Sequence, residues 1–368
     1  PTAVSSAVRI VPKGLRSFDH HDADFFLTLL PGPRDRFGLP EAVRFWKARV
    51  EETDPQATFP VGLVYGPSGC GKSSLFKAGV LPRLADHVTP VYVEASSDET
   101  ESRLLHGLRK ACPSLDPSLS LRDSIAVLRR RVSAQGRKVL LVVDQFEQWL
   151  HSHDDMAAEE LSRALRQCDG EHVQCIVLVR DDFWLAVSRF FRNLEIRLVE
   201  GDNSALADLF DPDHARKVLT AFGQAFGKLP EPPQQIDPDQ QEFLSRAIDG
   251  LAVDGRIFSV RLALFAEMMK GRSWTTGALR EVGGTRGVGY AFLEETFGSS
   301  TAPPEHRYHQ RAARAVLKAL LPQPGSAIRG EMKDYDELLA ASGYHRRPRE
   351  FDDLIRILDS ELRLITPA

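Results

Sequence analysis

A chain of 368 residues is long enough for two to four domains with ample core, and its 47 basic and 51 acidic side chains leave a formal net charge of -4. Charge so nearly balanced creates no global field to draw in nucleic acid or an anionic membrane. Cys70, Cys112, Cys168 and Cys175 are dispersed with no C-x-x-C pair, which argues against a disulfide framework and for a reducing compartment. No apolar stretch approaches the ~18 residues of a membrane span and the N-terminus has no signal-peptide pattern, so a cytoplasmic location is expected.

In chain order, the residues before 57 contain a charged turn, Arg34-Asp35-Arg36-Phe37-Gly38. A helix follows over Leu39 to Val50, with Val43, Phe45, Trp46 and Val50 available to pack. Val61-Gly62-Leu63-Val64-Tyr65 then reads as a short buried strand. It runs into Gly66-Pro67-Ser68-Gly69-Cys70-Gly71-Lys72-Ser73, which fits the phosphate-binding pattern G-x-x-x-x-G-K-[ST] at every fixed position. Glycines let successive backbone N–H groups turn around phosphates, Lys72 supplies mobile positive charge, and the Ser73 hydroxyl is a hard ligand for Mg²⁺. The helix expected from Ser74 until Pro82 points its N-terminal dipole at the anion. Nucleoside triphosphate is therefore the expected ligand.

Lys138 to Val143 supplies an apolar strand that runs straight into Asp144, where a parallel sheet would present a second Mg²⁺ ligand. Three residues on, Glu147 is the candidate to orient or deprotonate the attacking water, although a first-turn acid also suits a helix N-terminus. A further buried strand, His172 to Val179, ends in Arg180. That guanidinium either reads the γ-phosphate or pairs with Asp181 or Asp182. Strands near Val61, Val91, Val139, Val173 and Leu194 alternate with helices near Ser73, Glu101, Leu121, Ala157 and Phe183, the pattern of a doubly wound α/β domain.

After Gly201 the composition shifts to helices, with proline-marked connectors at 230–233 and 303–304. The last segment reads helix (Ala313, Val316, Leu317, Leu320, Leu321), strand (Ser326 to Ile328), helix near Leu338, helix (Leu354, Ile357, Leu358, Leu362) and strand (Arg363 to Thr366), which is winged-helix order. The expected division is an N-terminal segment 1–56 leading into the nucleotide-binding domain, a P-loop NTPase core 57–205, a helical domain 206–301 and a winged-helix domain 302–368. The fold class is α/β: a P-loop NTPase with a parallel doubly wound sheet, followed by the helical and winged-helix domains.

Three other clusters carry plain readings. His151-Ser152-His153-Asp154-Asp155 reads as a solvated turn rather than a metal site, and His345-Arg346-Arg347-Pro348-Arg349 as a solvated or interdomain face rather than a DNA contact. Cys70 reads as a small loop residue rather than a redox-sensitive thiolate.

Together, Gly66 to Leu75, Val142-Val143-Asp144-Gln145-Phe146-Glu147 and Val179-Arg180-Asp181-Asp182-Phe183 resemble the motifs of bacterial STAND ATPases of the first "novel STAND" type. Gly283-Gly284-Thr285-Arg286-Gly287-Val288 resembles a glycine-rich turn of their helical region. The likeness spans nearly the whole chain, with one departure: Ser259-Val260-Arg261-Leu262-Ala263 has arginine where family members often have the proline of a Leu-Pro-Leu run. The resemblance implies a signal-transducing switch, ADP-bound at rest and ATP-bound and oligomeric when triggered. It also implies an attached N-terminal effector and C-terminal sensor that are not visible in these residues, and adenine recognition at the Arg36-Phe37-Gly38 turn. The residues expected at the site are Gly66, Pro67, Ser68, Gly69, Cys70, Gly71, Lys72, Ser73, Ser74, Arg36 and Phe37 for ATP or ADP, Ser73 and Asp144 for Mg²⁺, and Glu147, Arg180 and Lys72 for catalysis. The alternatives are a DNA-binding AAA-like ATPase or transcription regulator using the winged helix, and a non-hydrolysing nucleotide-bound scaffold.

Overall fold

The computed structural model describes residues 17–131, 137–153, 159–285, 293–300, 302–319 and 335–358. They fall into two compact units, one spanning Ser17–His214 and one beginning at Ala215.

The first unit is built on five parallel strands: β1 (Val61–Gly66), β2 (Val88–Glu94), β3 (Lys138–Asp144), β4 (Val173–Arg180) and β5 (Ser204–Leu206). They lie in the order β2-β3-β4-β1-β5, so β4 sits between the strand that feeds the phosphate loop and the strand that ends in Asp144. β3 and β4 are apolar because both sheet faces are covered. Side-chain alternation splits them cleanly. Val139, Leu141, Val143, Val173, Cys175, Val177 and Val179 join one core cluster, and Leu140, Val142, Ile176 and Leu178 join the other. Pro90 is tolerated in β2 because that strand is at the sheet edge, where a missing N–H costs no ladder bond on the open side.

Helices α1 (Ala23–Leu29) and α2 (Glu41–Glu51) precede β1. Val43, Trp46 and Val50 of α2 are buried, and Trp46 packs against Phe59 and Phe76 with ring centroids 6.5 and 5.8 Å apart. After the loop, α3 (Lys72–Ser74) widens into a π-helical stretch, Leu75–Val80, and a 3-10 turn, Leu81–Arg83. The helix expected there is present and ends at the proline; Arg83 then satisfies the freed carbonyls of Ala78 and Gly79 at 2.7 and 3.0 Å. α4 (Thr100–Ala111), α5 (Leu121–Arg131), α6 (Glu147–Ser152), α7 (Glu160–Leu165) and α8 (Trp184–Asn193) complete the unit. Ala157, where one helix was expected, lies outside the described residues, and α7 begins just beyond it.

The fifth strand is not at Leu194. That residue caps α8, Glu195 follows in a left-handed turn at φ 62, and Ile196 and Leu198 pack beside the core without joining the ladder. A reversal at 199–203 intervenes, held by Asn203 Oδ1, which accepts from the Val199 N–H at 2.8 Å. Only then does Ser204–Leu206 pair with β1.

In the second unit, α9 (Pro212–Ala225), α10 (Pro238–Leu251), α11 (Ser259–Met269) and α12 (Thr276–Glu281) come first. Phe222, Phe243, Phe265, Met269 and Trp274 are buried. An Asp237/Gln240 capping box starts α10. α13 (Pro304–Tyr308), α14 (Gln310–Ala319), α15 (Tyr335–Ser342) and α16 (Pro348–Arg356) follow, gathered on Ala313, Val316, Leu338, Phe351, Leu354, Ile357 and Leu358. Both strands of the expected winged helix, at 326–328 and 363–366, lie outside the described residues, as do Leu320, Leu321, Leu362 and 286–288 of the glycine-rich turn.

Truncating Trp46 would leave a cavity between the segment that precedes β1 and the phosphate-loop helix. Trp46→Ala is expected to lower the unfolding free energy by about 3–5 kcal/mol, read as a shift in the urea midpoint. A change within error would show that this segment is not integral to the core.

Candidate functional site

β1 ends where no side chain fits. A Cβ on Gly66 would lie 2.1 Å from the carbonyl oxygen of Ala207, so the strand can enter the loop only as glycine. Gly71 takes φ 104 at the N-cap of α3, a left-handed conformation that reverses the loop into the helix. The Lys72 ammonium lies back over its own loop, donating to the carbonyls of Gly66 at 2.7 Å and Pro67 at 3.0 Å. Cys70 is buried, and burial raises its thiol pKa although Lys72 pulls the other way, so it stays a neutral thiol. The Ser74 hydroxyl accepts from the Phe18 N–H at 3.0 Å.

The parallel register aligns the carboxyl ends of the strands. Gly66 pairs with Arg180 across β1 and β4, and Glu94 pairs with Asp144 across β2 and β3. Asp144 is 2 % exposed. Its Oδ1 accepts from the Gln145 N–H at 2.8 Å and its Oδ2 from the Tyr92 hydroxyl. Gln145 takes φ 54, a left-handed conformation that costs a non-glycine residue about 1–3 kcal/mol. Held there, it lets Phe146 N–H reach the Leu178 carbonyl at 2.9 Å and starts α6 at Glu147.

Glu147 is buried, and its Oε2 accepts from the backbone N–H of Arg180 at 3.2 Å. Burial raises its pKa; its own N–H, Lys72 and Arg180 act against that without cancelling it. A carboxylate whose pKa is raised by burial is a stronger base than an exposed one. The Arg180 side chain donates through Nε to Asp182 at 3.0 Å and lies 5.8 Å from the Phe183 ring. Of the two acids open to it, Asp182 is the partner found.

The turn bearing Arg36 and Phe37 is a separate feature. Asp35 Oδ1 accepts from the N–H groups of Phe37 and Leu39 at 2.8 and 2.9 Å, and Gly38 at φ 79 closes the turn. Phe37 is 73 % exposed, with the Arg36 guanidinium 4.7 Å from its ring centroid. Among the described residues no hydrogen bond or ring contact joins either side chain to the loop 66–73.

Ser73 and Asp144 supply the hard oxygen ligands that suit Mg²⁺, and they fit the ion in kind. Tyr92, which sequence reasoning missed, holds the second of these: its hydroxyl donates to Asp144 Oδ2. Burial, then the adjacent Asp144 charge, holds its pKa far above the ordinary tyrosine value. Only strand pairing brings it there, so no motif flagged it. Elsewhere, His153 stacks on Trp149 at 4.5 Å and its Nδ1 bonds the Trp149 carbonyl at 2.8 Å. Arg347 of the basic cluster bonds the Tyr308 hydroxyl at 3.1 Å and Glu350 at 2.8 Å.

The family model described as Novel STAND NTPase 1 matches residues 13–232, more than half the chain and every element of this site. The chain belongs to that family. It is accordingly a nucleotide-binding P-loop NTPase. No curated protein shows significant similarity to it. Among solved structures it is similar to a Walker-type ATPase of Pyrococcus abyssi, at 16% identity and TM-score 0.48 over 89% of this chain and 93% of that one. It is similar at the same identity and TM-score to the ORC2 protein of Aeropyrum pernix in its ADPNP–ADP complexes, over 92% of this chain and 89% of that one. Drosophila ORC bound to DNA follows at 14% identity and TM-score 0.40, over 86% and 84%. These likenesses are too remote to bear on what this member does. Among the described residues no helix is long and apolar enough to cross a membrane.

The raised pKa of Glu147 has a direction in stability. A carboxyl whose folded pKa exceeds its unfolded value contributes stability at low pH that is lost as pH rises through the folded pKa. Glu147→Gln is therefore expected to melt no lower than the parent at neutral pH and to lose this pH dependence, read from melting curves between about pH 4 and pH 8. A variant less stable than the parent at neutral pH would mean that the ionised carboxylate stabilises the fold.

Proposed function

We propose that this NTPase is an ATP-driven signalling switch, ADP-bound at rest and assembling with ATP to activate an attached effector in answer to a sensor. The observation that carries the reading is the convergence of the Gly66–Ser73 loop, Asp144, Glu147 and Arg180 at the carboxyl ends of β1, β3 and β4. Slow, regulatory hydrolysis then resets the switch.

In this reading the loop amides and Lys72 hold the phosphates of ATP or ADP, and Ser73 and Asp144 hold Mg²⁺, which supplies charge neutralisation between phosphate oxygens when bound. Glu147 positions and deprotonates water. Arg180 reads the γ-phosphate. Each cation is already committed within the protein: Lys72 to main-chain carbonyls and Arg180 to Asp182. A triphosphate competes for both, a diphosphate for Lys72 first, so the two nucleotides interact differently with the carboxyl end of β4. Differential interaction of that kind is what a two-state switch requires. The main chain supports the coupling directly, since the Arg180 N–H that holds Glu147 belongs to the residue that reads the phosphate.

Arg36 and Phe37 remain the proposed adenine contacts, an exposed guanidinium–ring pair offering a stacking surface. The winged helix, the helical domain as a moving part, the 1–56, 57–205, 206–301 and 302–368 division and a cytoplasmic setting belong to the same proposal.

The test starts with the protein as purified: denature it, identify the released nucleotide by chromatography, and measure particle mass before and after exchange to ATP–Mg²⁺. Released ADP and an ATP-dependent rise in mass support the switch; a nucleotide-free protein of unchanging mass rejects it in favour of a scaffold. Lys72→Ala should abolish nucleotide binding. Glu147→Gln should bind ATP as the parent does and hydrolyse it at least about 100-fold more slowly. Parental turnover in that variant would remove Glu147 from the mechanism.

A further inference from the structure

β2 carries no part of the phosphate-binding motif, yet it contributes a side chain that bonds the carboxylate assigned to the metal. Tyr92 pairs with Val142 in the sheet, two residues before the Glu94–Asp144 pair at the strand ends. Its hydroxyl donates to Asp144 Oδ2, and an ionised carboxylate only accepts. A phenol has one proton. That proton is committed to Asp144.

The ring that carries this oxygen is fixed from outside. Lys77 Nζ lies 4.7 Å from its centroid and pairs with Glu94 at 2.7 Å, so β2 and the helix after the loop clamp the ring between them. Asp144 Oδ1 is separately held by the Gln145 N–H. The carboxylate thus has both oxygens oriented by the protein, one by a strained main chain and one by a clamped phenol.

We propose that Tyr92 is a positioning residue for the metal: its clamped hydroxyl fixes the rotation of the Asp144 carboxylate. The inference rests on the assignment of Asp144 as a metal ligand. Partners that orient metal ligands change metal affinity by about 10- to 100-fold when removed, with little effect on groups the metal does not touch.

Tyr92→Phe deletes only the phenol oxygen. Two quantities separate its role from a general defect: affinity for a fluorescent ADP in EDTA, and affinity for Mn²⁺, read by electron paramagnetic resonance, at saturating ADP. The expected result is at least about tenfold weaker Mn²⁺ binding with ADP affinity in EDTA within about twofold of the parent. Unchanged Mn²⁺ affinity overturns the inference. Asp144→Asn, measured alongside, tests the underlying assignment: if it too binds Mn²⁺ like the parent, the metal ligands are misassigned, whereas loss in Asp144→Asn alone removes only Tyr92. Should Tyr92→Phe fail to fold, Lys77→Met frees the ring and leaves the phenol in place. Weaker Mn²⁺ binding at constant ADP affinity then supports the role, and parental Mn²⁺ binding overturns it.

Discussion

The hydrogen-bond ladder that holds β4 between β1 and β3 is the constraint on which the site depends. It fixes Gly66 against Arg180 and Val143 against Val177, and so brings the phosphate loop, the metal-type carboxylate and the strand-end arginine to one edge of the sheet. In a sheet covered on both faces, hydrophobicity alone discriminates weakly between registers, because a one-residue slip exchanges one apolar face for the other. The polar ends of β3 supply what the apolar run lacks. Lys138 is 1 % exposed and donates to the Glu52 carbonyl at 2.7 Å, with its pKa lowered to about 8 by burial, while Asp144 closes the other end with a donor on each carboxylate oxygen. A slip in either direction would strand one of these ends among apolar side chains, at a cost of several kcal/mol for an unpaired buried charge.

The electrostatics of the site follow from the same arrangement. Asp144 and Glu147 are both buried, and each is compensated by donors from a different strand: Tyr92 of β2 for the first, the Arg180 N–H of β4 for the second. The two cations, Lys72 and Arg180, are satisfied by the protein rather than by the carboxylates. Carboxylates held by neutral donors and cations held by replaceable partners make a site in which an anion displaces contacts without leaving a buried charge unpaired.

The strand ends at this site are also backbone-constrained. Gln145 sits in the left-handed region between Asp144 and Glu147, and Gly66 allows the closest main-chain approach, to the Ala207 carbonyl. The strand must end, aim one carboxylate and begin a helix within three residues, and a relaxed backbone does not do this.

What was legible in the sequence was what is contiguous. The eight-residue loop, the apolar runs ending in Asp144 and Arg180 and the helix of Val43, Trp46 and Val50 each depend on local chain geometry and burial period, so they can be read in order from the residues. By itself the sequence determined the α/β class, the nucleotide chemistry and the family. The fifth strand escaped it, because Leu194 to Val199 has strand composition but an αL turn at Glu195 diverts it, and three residues of ordinary composition pair with β1 instead. The tertiary structure alone decided the Tyr92–Asp144 bond across 52 residues, the Arg180–Glu147 bond across 33 and the Phe18–Ser74 bond across 56. Strand order and register create those neighbours, and both are set by which elements share a core rather than by any residue's immediate sequence.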